Sequence, residues 1–336
     1  MRIQAALIVV GLALCAVVGW AAEAIPPPSF DVDAHSAILV DGTTGQVLYE
    51  KESDLKLPPA SMAKIMTMLL IMEEIDAGRL KLTDEVKVSA RAAGIGGSQV
   101  YLKQGEVFTV EDLMKAVTIH SANDASVALA EHVSGAVEAF VDAMNRRAQE
   151  LGMADTYFDN PDGLPSEPGR PPTLTTARDL TKVSRELLKH PKILEWSTIT
   201  LTEFRSKPKT NLYNTNKLLG KYSGLDGLKT GHTDEAGWCL TATAKRGDVR
   251  LVSVVMRTAS EQERQAQTAR LLDHGFRGFE PLTAATKGED VGTLKVANGW
   301  PGALKVQPKE TFRPLVPRGR TEDVELTTEF GEVRAP

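Results

Sequence analysis

A helix that is apolar around most of its circumference has to be surrounded by other structure, and Ser61 to Ala77 forms such a helix. Ile65, Met66, Leu69, Leu70 and Met72 fall on several sides of the helical wheel, Pro58-Pro59 halts the chain ahead of it, and Gly78 ends it. This element belongs at the centre of a domain. Material to enclose it is available on both sides. Ala37-Ile38-Leu39-Val40 and Gln46-Val47-Leu48-Tyr49 flank the turn Asp41-Gly42-Thr43-Thr44-Gly45 and predict a hairpin. Gly237 to Ala244 and Arg250 to Met256 flank Lys245-Arg246-Gly247-Asp248 and predict a second. Helices are predicted over Val110 to Ile119, Asp124 to Val133, Val137 to Leu151 with Gly152 as its cap, and Thr176 to Lys189 before Pro191. A last helix runs from Glu261 to His274 and ends at Gly275. Strands at both ends of a helical middle predict an α+β fold with one sheet shared by the two termini.

Beyond about Glu280 the pattern changes to short alternating runs, Val291 to Val296, Leu304 to Val306 and Val324 to Thr327, broken by Gly and Pro. These predict a small all-β C-terminal domain over 278–336, following a main domain over 25–277. The N-terminus has its own logic. Met1-Arg2-Ile3-Gln4 leads an unbroken apolar run from Ala5 to Ala22, then Ala22-Glu23-Ala24 supplies small residues where a signal peptidase reads. Residues 1–24 are therefore expected to be a signal peptide, and the protein to be exported to a periplasmic or other extracytoplasmic space. An uncleaved anchor is the alternative, since the run reaches the lower edge of a membrane span. Lipidation at Cys15 is disfavoured by the bulky Leu14 before it. Cleavage after Ala24 would leave Cys239 alone and exclude an intramolecular disulfide. With 39 Lys and Arg against 44 Asp and Glu, and no basic block long enough to follow a phosphate backbone, no nucleic-acid partner is expected.

Three short motifs carry chemistry. Ser61-Met62-Ala63-Lys64 opens the buried helix, and residues three apart share a helix face, so the lysine amine can reach the serine hydroxyl. A serine needs a base to become a nucleophile, and a lysine serves only when burial or a nearby cation holds it neutral. Alone, the pattern is more often that of a helix cap and a snorkelling lysine. Ser121-Ala122-Asn123 lies between two helices, where serine is also an ordinary cap. Lys229-Thr230-Gly231-His232-Thr233 precedes a strand and, alone, is an ordinary turn.

Together, S-x-x-K, S-x-N and K-T-G in this order form the signature of the penicillin-recognising serine enzymes, with Ser-Ala-Asn here in place of Ser-Asp-Asn. The chain resembles the low-molecular-mass penicillin-binding proteins that act as D-alanyl-D-alanine carboxypeptidases. The likeness runs from Ala37 to Phe279 and includes Pro59 to Lys64, Ser121 to Ala125, Asn160-Pro161-Asp162-Gly163-Leu164, Asp226 to Thr233 and Gly275-Phe276-Arg277. It implies a β-lactamase/transpeptidase-like antiparallel sheet flanked by helices. It implies that Ser61 attacks the carbonyl between two D-alanines of a peptidoglycan stem peptide, that Lys64 is the general base, and that Ser121 relays a proton to the leaving amine. Asn123 would hydrogen-bond the substrate. Lys229 would sustain the field around Ser121 and help keep Lys64 neutral. Thr230, of the Lys229-Thr230-Gly231 motif, and Arg264 would bind the terminal carboxylate. The N–H groups of Ser61 and His232 would form the oxyanion hole. Arg264 rests on its position in the last helix alone, where a solvated arginine is the alternative.

β-Lactams are the covalent inhibitors the resemblance implies. No metal and no cofactor are expected, because the six histidines show neither H-E-x-x-H nor paired metal spacing, and P-loop and G-x-S-x-G patterns are absent. Two other functions remain open. A secreted β-lactamase would need a base for deacylation, and no Glu-x-x-Leu-Asn lies between Asn160 and Pro208. A penicillin-binding envelope module would acylate without turning over. Relatives of this type commonly end in an amphipathic membrane helix, but the run Glu332 to Pro336 has no apolar face, so no C-terminal membrane anchor is visible.

Overall fold

The computed structural model describes residues 18–19, 30–297, 302–326 and 333–334. The expected signal segment lies outside them except for Val18–Gly19, a short strand beside Glu325–Leu326. The chain forms two compact units, Phe30–Arg277 and a second made of Gly278–Pro336 with Met1–Ser29.

The larger unit is built on a five-stranded antiparallel sheet. Its strands are β1 (Ser36–Asp41), β2 (Val47–Lys51), β3 (Leu225–Thr233), β4 (Gly237–Arg246) and β5 (Val249–Thr258), in the spatial order β2-β1-β5-β4-β3. The N-terminal strand β1 thus lies beside β5, so the two ends of the unit share one sheet, as the strand blocks predicted. Both faces are covered. Ile38, Val40, Val252, Val254 and Met256 point into the main core, while Leu39 and Leu251 face the terminal helix α5 (Glu261–Gly278). That is why β1 is buried at all six positions and reads as a continuous apolar run. Gly275 lets α5 approach, because a Cβ there would stand 2.5 Å from Leu251 Cδ1.

The helical layer is centred on α1 (Lys64–Asp76), with α2 (Asn123–Ser134), α3 (Val137–Glu150) and α4 (Ala177–Leu187) packed around it. Ile65, Met66, Met68, Leu69 and Ile71 are wholly inaccessible, so α1 is the enclosed helix that the sequence predicted. The predicted single helix over Val110 to Ile119 is instead an α-helix, Val110–Lys115, followed by a wider π-helical turn, Ala116–His120. Such turns cluster at functional sites, and this one delivers Ser121. Helix Pro191–Ser197 and the ribbon Leu201–Ser206/Lys209–Tyr213 have no counterpart in the sequence reading. In the smaller unit Phe279–Pro281 pairs with Leu315–Pro317, and Gly292–Ala297 with Ala303–Val306. Leu294, Leu315 and Val316 are buried there.

Candidate active site

Ser61 sits in a tight 3-10 turn, Ala60–Ala63, that feeds directly into α1. Its position is fixed by backbone from two sides. Ala60 has a left-handed φ of 48°. A Cβ at Gly163 would stand 1.9 Å from Ala60 O, and one at Gly231 would stand 2.5 Å from Pro59 O. The turn is therefore clamped between the Asn160–Leu164 loop and β3, and only glycine permits either approach. Gly163→Ala, at φ 79° and with no room for a methyl, is expected to cost roughly 1–3 kcal/mol of stability. It should also slow acylation by displacing Ser61; thermal unfolding and penicillin-labelling rates on one preparation would show both, and an unchanged variant would refute the clamp.

Lys64 is the first residue of α1 and is completely buried. Its Nζ reaches Ser61 Oγ at 2.9 Å, Asn123 Oδ1 at 2.7 Å and the main-chain oxygen of Asp162 at 2.5 Å. Burial pushes its pKa down from 10.5 to about 8, against the opposing carboxylates of Asp162 and Asp124. Lys229 on β3 is also buried, and its Nζ donates to Thr230 O at 3.0 Å. Burial, then the charges of Lys64 and Arg264, depress its pKa well below the ordinary value. The repulsion between the two lysines thus acts against charging both.

Asn123 is occupied at both ends of its amide. Oδ1 accepts from Lys64, and Nδ2 donates to Gly96 O at 2.8 Å, while its own N–H donates to Ser98 O at 2.7 Å. The segment around Ser98 is held in turn by Asp124, whose carboxylate accepts from Val100 N and Leu102 N at 3.1 and 3.0 Å. Ser121 has φ 65°, a conformation rare for serine, and its buried Oγ has no hydrogen-bond partner among the described residues. A strained residue whose buried hydroxyl accepts from no main-chain N–H is not a plain helix cap.

Ser61, Ser121, Thr230, Gly231, His232 and Arg264 line one cleft of about 380 Å³. Lys229 lies behind it. The Lys229-Thr230-Gly231 motif is inside strand β3, where the sequence placed it ahead of a strand, and His232 stands opposite Trp238 of β4 with the rings stacked at 3.8 Å. Arg264 is not the solvated helix residue of the alternative reading. It is only 3% exposed, donates from Nη2 to Glu261 at 3.0 Å and lies 5.2 Å from the Trp238 ring centroid. Sequence reasoning gave no role to Asp162 or Thr215, although both touch the site. Thr67 Oγ1 holds Pro161 O at 2.6 Å and Asn160 Oδ1 accepts from Gly163 N at 2.7 Å, so Asn-Pro-Asp-Gly is a turn that presents the Asp162 carbonyl to Lys64.

A serine and a buried lysine at hydrogen-bond distance, flanked by an unpaired second serine and a β-strand edge, define an acyl-transferring serine peptidase of the penicillin-recognising class. The model of the family described as D-alanyl-D-alanine carboxypeptidase matches residues 21–260. The carboxypeptidase DacF of Bacillus subtilis is 42% identical over 290 residues, covering 85% of this chain and 73% of its own. DacC of Escherichia coli is 36% identical over 314 residues, covering 91% and 76%. Penicillin-binding protein 5 from Haemophilus influenzae superposes with a TM-score of 0.83 at 30% identity, over 93% of this chain and 91% of that one. Penicillin-binding protein D2 from Listeria monocytogenes, solved in an ampicillin-bound form, gives 0.67 at 33% identity over 74% and 100%. The chain belongs to the D-alanyl-D-alanine carboxypeptidase family, and its activity is that of a serine-type hydrolase.

Proposed function

We propose that Ser61 is the nucleophile that removes the terminal D-alanine from a peptidoglycan stem pentapeptide, with Lys64 as its base. The observation that carries this is the 2.9 Å contact between Ser61 Oγ and a buried lysine whose pKa is held near 8. Ser61 Oγ attacks the carbonyl carbon of the penultimate D-alanine while its proton passes to Lys64 Nζ. The peptide C–N bond then breaks as the proton taken up by Lys64 passes through the Ser121 hydroxyl to the departing amine, which leaves Lys64 neutral and Ser121 with a proton again. Water hydrolyses the ester, returning Ser61 with its proton and the shortened stem. The N–H groups of Ser61 and His232 serve the developing oxyanion. Asn123 holds Lys64 and orients the bound peptide, Lys229 opposes the charging of Lys64, and Thr230, Gly231 and Arg264 form the subsite for the terminal carboxylate.

Ampicillin on the Listeria relative supports the same covalent step here, with β-lactams as inhibitors at Ser61. Among the described residues the only carboxylate lining the cleft is Glu261, and Arg264 holds it. That disfavours a β-lactamase, which needs a free base for the second step. Nitrocefin and D-Ala-D-Ala peptide turnover should be compared on one preparation: steady D-alanine release with a slow, burst-type nitrocefin reaction is expected. Fast nitrocefin hydrolysis without D-alanine release would favour a β-lactamase, and acylation with neither turnover a binding module.

We further propose that residues 1–24 direct export, that 25–277 carry the chemistry, and that 278–336 form a β-rich platform containing no Ser, Cys or His. Among the described residues no helix is long and apolar enough to cross a membrane.

A further inference from the structure

The orientation of one side-chain amide decides where the lone pair of Lys64 points. A neutral amine has two N–H groups and one lone pair, and Nζ has three polar neighbours. Asn123 Oδ1 at 2.7 Å and Asp162 O at 2.5 Å can only accept, so they take both N–H groups and leave the lone pair to the Ser61 hydroxyl at 2.9 Å. Turning the Asn123 amide over would set N–H against N–H. Gly96 O forbids this by accepting from Asn123 Nδ2 at 2.8 Å, next to Gly97, where a Cβ would stand 2.6 Å from the same nitrogen. Segment 96–102 is itself gripped from two sides. Asp124 takes the N–H groups of Val100 and Leu102 at 3.1 and 3.0 Å. Arg205 takes the carbonyls: its Nη2 donates to Val100 O and, at 2.8 Å, to Tyr101 O, while Nη1 grips the Glu106 carboxylate at 2.8 and 2.9 Å. Between these two grips Tyr101 keeps a left-handed φ of 57° with its ring in solvent. Arg205 is no surface cation. Its side chain is 9% exposed, its guanidinium lies 5.5 Å from the ring centroids of both Phe108 and Phe204, and a β-bulge between Glu203 and Arg205 breaks the ribbon's alternation at this residue.

We infer that Arg205 is a positioning residue: it holds segment 96–102 so that the Asn123 amide keeps its oxygen on Lys64 and the Lys64 lone pair stays on Ser61. Arg205 touches no reacting atom itself. The inference rests on the reading of Lys64 as the base of Ser61 and extends it to a residue on a separate ribbon. A guanidinium suits the task because its planar fork spans a carboxylate and two carbonyls at once, which a lysine ammonium does not. Its ion pair with Glu106 alone would be a poor reason to bury it, since such pairs are often replaceable by apolar side chains without loss of stability.

The test is the rate of acylation by benzylpenicillin between pH 6 and 9 for wild type, Arg205→Lys and Arg205→Met, taken per site labelled at completion so that unfolded protein does not count. Arg205→Lys keeps a charge for Glu106 and so answers even if Arg205→Met fails to fold. Both variants should lose on the order of 10- to 100-fold at the high-pH plateau. The midpoint of the profile should also move to lower pH, because an ammonium deprived of the Asn123 oxygen loses more than a neutral amine does. The charges that face Lys64, those of Asp162, Asp124 and Lys229, are the same in all three proteins. A brace that served stability alone would lower the melting temperature and leave plateau and midpoint at their wild-type values, and that result would overturn the inference. Replacing Arg205 in an Asn123→Ala background should change the plateau by less than about threefold. An undiminished further loss there would equally overturn it, since Arg205 would not then act through Asn123. Should Ser61→Ala or Lys64→Arg acylate normally, the proposed chemistry fails and takes the role of Arg205 with it; should both lose acylation while the Arg205 variants keep it, the role of Arg205 alone fails.

Discussion

Replacing Ser61 by alanine is expected to abolish both D-alanine release and covalent labelling by penicillin, a loss on the order of 10⁴-fold or more. The size of the effect follows from the shape of the site. Ser61 is the hydroxyl in contact with Lys64 Nζ, and the turn that carries it is fixed by backbone contacts that a Ser-to-Ala change leaves untouched. The variant should therefore keep its fold and its capacity to bind a peptide non-covalently. Intact-mass measurement after exposure to penicillin gives the answer directly. Labelling that persists, or an adduct mapped to Ser121, would remove Ser61 from the nucleophile role and give it to the strained serine across the cleft.

Lys64→Arg should be almost as damaging despite keeping the charge, with acylation slowed on the order of 10²- to 10⁴-fold. Guanidinium does not give up its proton in a protein, and its planar fork cannot reproduce three contacts from one nitrogen. The wild type makes the complementary statement through pH. Only neutral Lys64 can accept the Ser61 proton, and its pKa of about 8 means that this form is lost as pH falls below that value. The acylation rate should drop about tenfold per pH unit below 8 and level off above it. A flat profile between pH 6 and 9, or an arginine variant of near wild-type rate, would show that the site needs a cation at this position and not a base.

Much of the fold was legible because its elements obey simple local rules. The hairpin β1–β2 has strand-forming apolar runs on either side of an Asp-Gly turn, and α1 announces its burial by being apolar around most of its circumference. β3 was not legible as a strand. Leu225–Thr233 contains two glycines, a lysine and an aspartate, all poor strand formers, and it holds its extended form by pairing with β4 and by packing Gly231 against Pro59. Ser61, Lys64, Ser121 and the Lys229-Thr230-Gly231 motif could be named because short spacings encode them. The contact of Asn123 with Lys64, 59 residues away, could not, and neither could the Asp162 carbonyl, since a main-chain oxygen leaves no trace in residue type. Arg264 was named from position, but its burial against Trp238 and Glu261 exists only in three dimensions.

The placement of Lys64 on an enclosed helix also governs how the site can move. Proteins open locally where few buried contacts must be broken, and active-site segments usually lie at that low-cost end. Here the general base belongs to the opposite end: freeing Lys64 from Ser61 and Asn123 means loosening Ile65 to Met72, and with them the core. The catalytic pair therefore has no private route of fraying. Breathing motion is left to the exposed rim of the cleft, where Tyr213 stands in solvent, so that ligands can be admitted and released while the chemistry stays in register.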